Sequence, residues 1–141
     1  MKKSASAHWS GEIKTGQGTI STETDALREV PYGFKSRFED GPGTNPEELI
    51  AAAHAACFSM ALSLGLGNAG LVAESIDTKA VVSLDKDGDG FAITAVHLTC
   101  NARVPEASAS TFANIAQETR RDCPVSKVLN AIITLDATLE D

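Results

Sequence analysis

Residues 44–70 constrain the fold more than any other stretch. Thr44 or Asn45 can cap a helix, Pro46 fits its first position, and Glu47 and Glu48 suit the positive end of its dipole. The helix is predicted to run to about Leu66 and to stop at Gly67-Asn68-Ala69-Gly70. Beyond Glu48 it is apolar on nearly every side, so protein has to surround it, in a domain core or at a subunit interface. His54, Ser59 and the leading glutamates make it a poor membrane span. In its middle sits Cys57.

The flanking segments alternate. Residues 6–39 are strand-like: Lys14-Thr15-Gly16-Gln17-Gly18 reads as a turn between His8–Ile13 and Thr19–Thr22, and Tyr32–Glu39 alternates apolar and polar residues before Gly41-Pro42-Gly43. Ser75–Leu84 and Phe91–Val104 form a second alternating pair, joined by Asp85-Lys86-Asp87-Gly88-Asp89-Gly90, a hairpin signature. Ser108–Arg121 has helical spacing, a short helix is predicted over Pro124–Asn130, and Ile132–Leu139 is a last strand. Grouped strands with inserted helices imply one α+β domain over residues 1–141, with an antiparallel sheet, a long buried central helix and a second helical segment.

A net charge of −7 and the lack of a basic stripe argue against nucleic-acid partners. Met1-Lys2-Lys3-Ser4 has no apolar run behind it, so a cytoplasmic location is the default expectation. Three cysteines, an odd count, do not suit a structural disulfide framework; any disulfide should be transient and functional.

Several motifs are weighed and set aside. Asp85–Gly90 imitates a calcium loop, but Val96 stands where the bidentate glutamate belongs. The histidines and cysteines lack zinc-ligand spacing, so no metal is expected, and His54 reads as a hydrogen-bonded core residue. Cys100, in a strand pattern, reads as a half-buried structural thiol.

Cys57 alone would also pack as a small hydrophobe, with burial raising its pKa. It lies about three turns into its helix, too far for that helix's dipole to help. The best local cation is Arg37, in the strand predicted just before the helix. Cys123 precedes Pro124 and so is placed to cap a helix, with Arg120, Arg121 and Lys127 nearby. By residue chemistry Cys123 looks the more acidic thiol, and which cysteine attacks first stays open.

Pro31-Tyr32-Gly33-Phe34-Lys35-Ser36-Arg37-Phe38-Glu39, the run from Gly43 through Cys57 to Leu62, and Asp122-Cys123-Pro124-Val125-Ser126 together resemble the osmotically inducible protein C (OsmC) branch of the OsmC/organic hydroperoxide resistance family. The resemblance extends along essentially the whole chain, through Ser75–Thr78 and Ile133–Asp136. It implies a thiol-dependent peroxidase for organic hydroperoxides that needs no cofactor. Cys57 would be the peroxidatic thiol and Cys123 the resolving one. Arg37 would hold the thiolate and polarise the peroxide, with Glu47, or its neighbour Glu48, orienting Arg37. The implied reductant is an external dithiol of the lipoyl type. Phe58 and Met60 offer apolar walls that would favour alkyl or fatty-acid hydroperoxides.

Helix geometry adds a constraint. The ten residues from Glu47 to Cys57 span about 15 Å along a helix axis, beyond the reach of a glutamate side chain. If Glu47 acts near Cys57, it comes from a second copy. A homodimer with sites shared across its interface is therefore expected, in line with the family's intertwined dimer.

Overall fold

The computed structural model describes Met1–Asp141, and the chain divides into two units, Met1–Leu49 and Ile50–Asp141. The first holds an antiparallel three-stranded sheet of β1 (Ala5–Ser10), β2 (Gln17–Thr22) and β3 (Val30–Tyr32), in that order. Trp9 and Tyr32 both pair with Gly18 of β2, and their rings lie 5.6 Å apart. A Cβ on Gly18 would come within 2.3 Å of the Tyr32 ring, so glycine is what lets the two aromatics close over the strand. The turn between β1 and β2 falls at residues 11–16, earlier than expected. Gly11 takes φ +92° there, and its carbonyl accepts a 2.9 Å hydrogen bond from the Trp9 indole.

Tyr32–Glu39 is not a strand. After β3 the chain forms a short helix, α1 (Phe34–Phe38). Ser36 Oγ accepts from the Gly33 amide at 2.9 Å and donates to the Gly33 carbonyl at 3.0 Å, closing the first turn. Alternation of Phe34, Ser36 and Phe38 is too short to fix a strand against that local bonding.

The long helix α2 (Pro46–Asn68) starts in this unit and continues into the second. Asn45 caps it, its Oδ1 accepting from the Glu48 amide at 2.7 Å. The helix ends in a Schellman motif: the Leu71 amide donates to the Leu66 carbonyl and the Gly70 amide to the Gly67 carbonyl, with Gly70 at φ +76°.

The second unit carries β4 (Ser75–Asp87), β5 (Gly90–Arg103), α3 (Ala109–Asp122), α4 (Pro124–Val128) and β6 (Ile132–Glu140). β5 is central. It pairs antiparallel with β4 through a tight turn at Gly88-Asp89, and parallel with β6. The parallel pairing departs from the expected all-antiparallel sheet, and its cause is the α3–α4 connection, which returns the chain to the end of the sheet where β5 began.

Val96, Leu98, Cys100 and Ala102 line the buried face of β5 and form one core with Phe58, Leu62 and Leu66 of α2 and with Phe112 and Ala116 of α3. Ser59 Oγ of α2 also meets Thr78 Oγ1 of β4 at 2.8 Å. Along α2 the fully buried side chains are His54, Phe58, Leu62 and Leu66, four residues apart. Away from that stripe Ala52, Ala53 and Ala56 are exposed, as are Met60 (76%) and Leu64 (68%). The helix expected to be buried all round is thus half uncovered in a single chain. Its length and mean hydropathy of 1.8 are ones that core helices and membrane spans share. The buried stripe commits one face to a protein core.

Candidate active site

Within residues 50–141 the fold brings two thiols together. Cys57 is half-buried on α2, Cys123 is buried between α3 and α4, and both are free. Cys123 caps α4 in extended conformation, its Sγ accepting from the Ser126 amide at 3.3 Å, with Pro124 at the first helical position. The next free amide, that of Val125, donates to the Cys57 sulfur. One helix start thereby serves both sulfurs with N–H groups that have no partner in their own helix.

Burial is the main force on the Cys57 thiol and pushes its pKa up. The Val125 amide opposes the rise, while the charge and hydrogen bond of Cys123 add to it. Cys57 and Cys123 are hydrogen-bond neighbours. No cation is among the influences on Cys57.

Ser126 Oγ lies 3.1 Å from Cys123 Sγ and 2.7 Å from His54 Nε2. His54 is wholly buried and its Nδ1 has no partner. Burial holds the imidazole below its ordinary pKa, so it is neutral at rest. Val125 and Ser126 fall within the Asp122–Ser126 motif, but neither is assigned a role from sequence. The amide of Val125 could have been, because Cys-Pro marks a helix start. The Ser126–His54 contact spans 72 residues and leaves no local signal.

Within residues 1–49, Arg37 of α1 holds Glu47 of α2 in a forked ion pair. Arg37 Nη2 meets Glu47 Oε1 at 2.8 Å, and Nε meets Oε1 and Oε2 at 3.1 and 3.3 Å. Glu48, the alternative partner, instead accepts from Thr44 Oγ1 at 2.7 Å. The guanidinium stacks 5.3 Å above the Phe38 ring. It is also the one charged residue lining a pocket of about 250 Å³ whose other walls include Trp9, Ile13, Tyr32, Phe34 and Phe38. That pocket is assembled from scattered aromatics, and nothing in the sequence pattern marks it.

The OsmC-like protein family matches residues 39–138, a span that contains Glu47, Cys57 and Cys123. The chain belongs to the OsmC-like protein family. It is 59% identical to the peroxiredoxin OsmC of Escherichia coli K12 over 140 residues, 99% of this chain and 98% of the relative. An organic hydroperoxide resistance protein-like 2 of Staphylococcus epidermidis is 30% identical over 106 residues, 72% of each chain. The crystal structure of the organic hydroperoxide resistance protein OsmC of Legionella pneumophila has the same fold, with a TM-score of 0.72, 23% identity and 99% and 98% of the two chains covered.

Other sequence expectations for this OsmC-like chain change in the structure. Phe58 is fully buried in the core and is no wall for a ligand; of the two apolar residues proposed for that task only Met60 is exposed. Two of the three cations expected beside Cys123, the arginines, turn elsewhere. Arg120 bonds Gln117 and the Ile133 carbonyl, and Arg121 bonds Asp122. Cys100 is fully buried rather than half-buried, and burial raises its pKa. Asp85 lies within β4 paired with Ala92 and bonds Thr94 Oγ1, as a hairpin residue would.

Proposed function

We propose that this OsmC-like chain is a peroxiredoxin-type, thiol-dependent peroxidase that reduces organic hydroperoxides to alcohols. One observation carries the reading: Cys57 and Cys123 meet at the start of α4, where amides reach both sulfurs. Inert core thiols have no need of such amides. In the catalytic cycle the Cys57 thiolate attacks the terminal peroxide oxygen, the O–O bond breaks, and the alkoxide leaves as the alcohol after taking a proton. Cys57 becomes a sulfenic acid. Cys123 displaces its hydroxyl as water, giving the Cys57–Cys123 disulfide and protecting Cys57 from further oxidation. An external dithiol, of lipoyl type by family resemblance, opens the disulfide by exchange.

Cys57 needs a cation to be a thiolate at neutral pH, since burial raises it. Arg37, oriented by Glu47, supplies that charge from a second copy of the chain, because the ten-residue offset along α2 separates Glu47 from Cys57 by about 15 Å. The exposed apolar face of α2 at Ala52, Ala56, Met60 and Leu64 supports a dimer packed through this helix. The aromatic pocket beside Arg37 provides apolar surface for an alkyl substrate. Alignment over nearly the whole E. coli relative supports one catalytic domain over residues 1–141. Three reduced thiols fit a cytoplasmic setting.

The test is consumption of cumene hydroperoxide with a dithiol present. Turnover in the wild type that disappears in Cys57→Ser supports the enzyme. One equivalent of thiol oxidised without turnover would make the chain a redox sensor instead, and no thiol oxidation would make it a binding module.

A further inference from the structure

The peroxidase cycle leaves His54 unused. It is the one histidine in the core, and its Nε2, Ser126 Oγ and Cys123 Sγ form an unbroken chain with steps of 2.7 and 3.1 Å that ends beside Cys57. Each member can donate or accept. With the proton on Nδ1, the chain runs from the Cys123 thiol through the Ser126 hydroxyl to Nε2. With a proton on Nε2, it runs back toward the sulfur. The ring is fully buried, and its Nδ1 has no protein partner. An apolar side chain would fill this place at less cost. No second bond fixes the tautomer, which leaves the ring free to take a proton at Nε2.

We propose that Ser126 and His54 form a proton relay for Cys123 in the step that closes the disulfide. The proposal rests on Cys123 being the resolving thiol. As the Cys123 sulfur bonds to the Cys57 sulfur and the Cys57 S–O bond breaks, the Cys123 proton passes to Ser126 Oγ and the Ser126 hydroxyl proton passes to His54 Nε2. The hydroxide leaves on the side of Cys57 away from Cys123 and takes a proton from solvent to become water, and His54 later gives its proton back to solvent through Ser126, so the step is proton-neutral. The Cys57 sulfenic acid is the only oxidant, and one water is formed per disulfide. Burial keeps His54 a weak base, so it returns the proton rather than holding it. The titratable groups around Cys123 are Cys57 on α2 and, lining a surface groove with Cys123, Glu118 and Asp122 of α3; neither carboxylate bonds the sulfur. Ser126 and His54 touch no reacting atom of the peroxide, and their side chains take no part in the first step.

Quenched-flow mass spectrometry with an alkyl hydroperoxide, run from pH 5.5 to 8.5, separates sulfenic acid formation on Cys57 from disulfide formation. In Ser126→Ala and His54→Phe the first rate should stay within about twofold of wild type. The second should fall by at least about tenfold at neutral pH and recover as the pH rises and solvent base replaces the relay, with more Cys57 sulfinic acid. Ser126→Thr keeps the hydroxyl and should restore the wild-type profile. Equal slowing of both steps, or a slow disulfide step with an unchanged pH profile, overturns the relay. If His54→Phe does not fold, the Ser126→Ala and Ser126→Thr pair decides. Absence of any Cys57 sulfenic acid in the wild type is a different failure, that of the peroxidase reading itself.

Discussion

In residues 1–49 the chemically useful pair is built from near neighbours. Arg37 and Glu47 are ten residues apart, joined by a short helix and a cap, and Arg37 remains partly open to solvent. In residues 50–141 the useful groups come from opposite ends of the unit and are held by a core. His54 and Ser126 are 72 residues apart, and the elements carrying Cys57 and Cys123 meet only because Phe58, Leu62, Phe112 and Ala116 pack over β5. One region has a cation with no thiol, and in the other no cation acts on Cys57. A peroxidatic thiol needs both, which is why the proposed function draws Arg37 from a second copy.

The contrast can be broken in order of expected effect. Cys57→Ser should reduce peroxide turnover to background, measured as loss of cumene hydroperoxide, while Cys100→Ser should leave it standing. Arg37→Gln should lower the rate at neutral pH by about tenfold to a thousandfold, since an adjacent cation moves a thiol pKa by one to three units. The sign is definite: without the cation Cys57 returns to its raised value, so activity and iodoacetamide alkylation of Cys57 should recover as the pH rises. An Arg37→Gln profile that matches wild type would detach the first unit from the chemistry. Leu62→Ala should destabilise the second unit by about 2–5 kcal/mol in urea unfolding, because it opens a cavity at a fully buried site.

The smallest effect concerns pH and stability. His54 has a folded pKa below its unfolded value of about 6.5, so its contribution is present above that pH. It is lost as the pH falls through the depressed folded value, because the unfolded chain then takes up a proton that the core resists. Melting temperature should therefore drop below pH 6.5, and His54→Phe should remove part of that drop.

Much of this was legible because it is encoded locally. The cap at Asn45, the stop at Gly70, the β4–β5 hairpin and the Cys123-Pro124 helix start are short-range bonding patterns, and the sequence displays them. The misreadings have the opposite character. Phe34, Ser36 and Phe38 alternate like a strand, yet Ser36 bonding to Gly33 winds them into a helix. The parallel β5–β6 pairing, the Ser126–His54 contact and the pocket beside Arg37 depend on where distant segments dock. Phe58 was assigned to a ligand wall because α2 is apolar all round, and only packing decides which of its faces is core.

The most direct test of the thiol pair is peptide mapping without reductant after one equivalent of alkyl hydroperoxide. A single Cys57–Cys123 disulfide in the wild type, replaced by sulfenic acid on Cys57 in Cys123→Ser, is the predicted result. Oxidation that falls on Cys123 or Cys100 while Cys57 stays reduced would contradict the account.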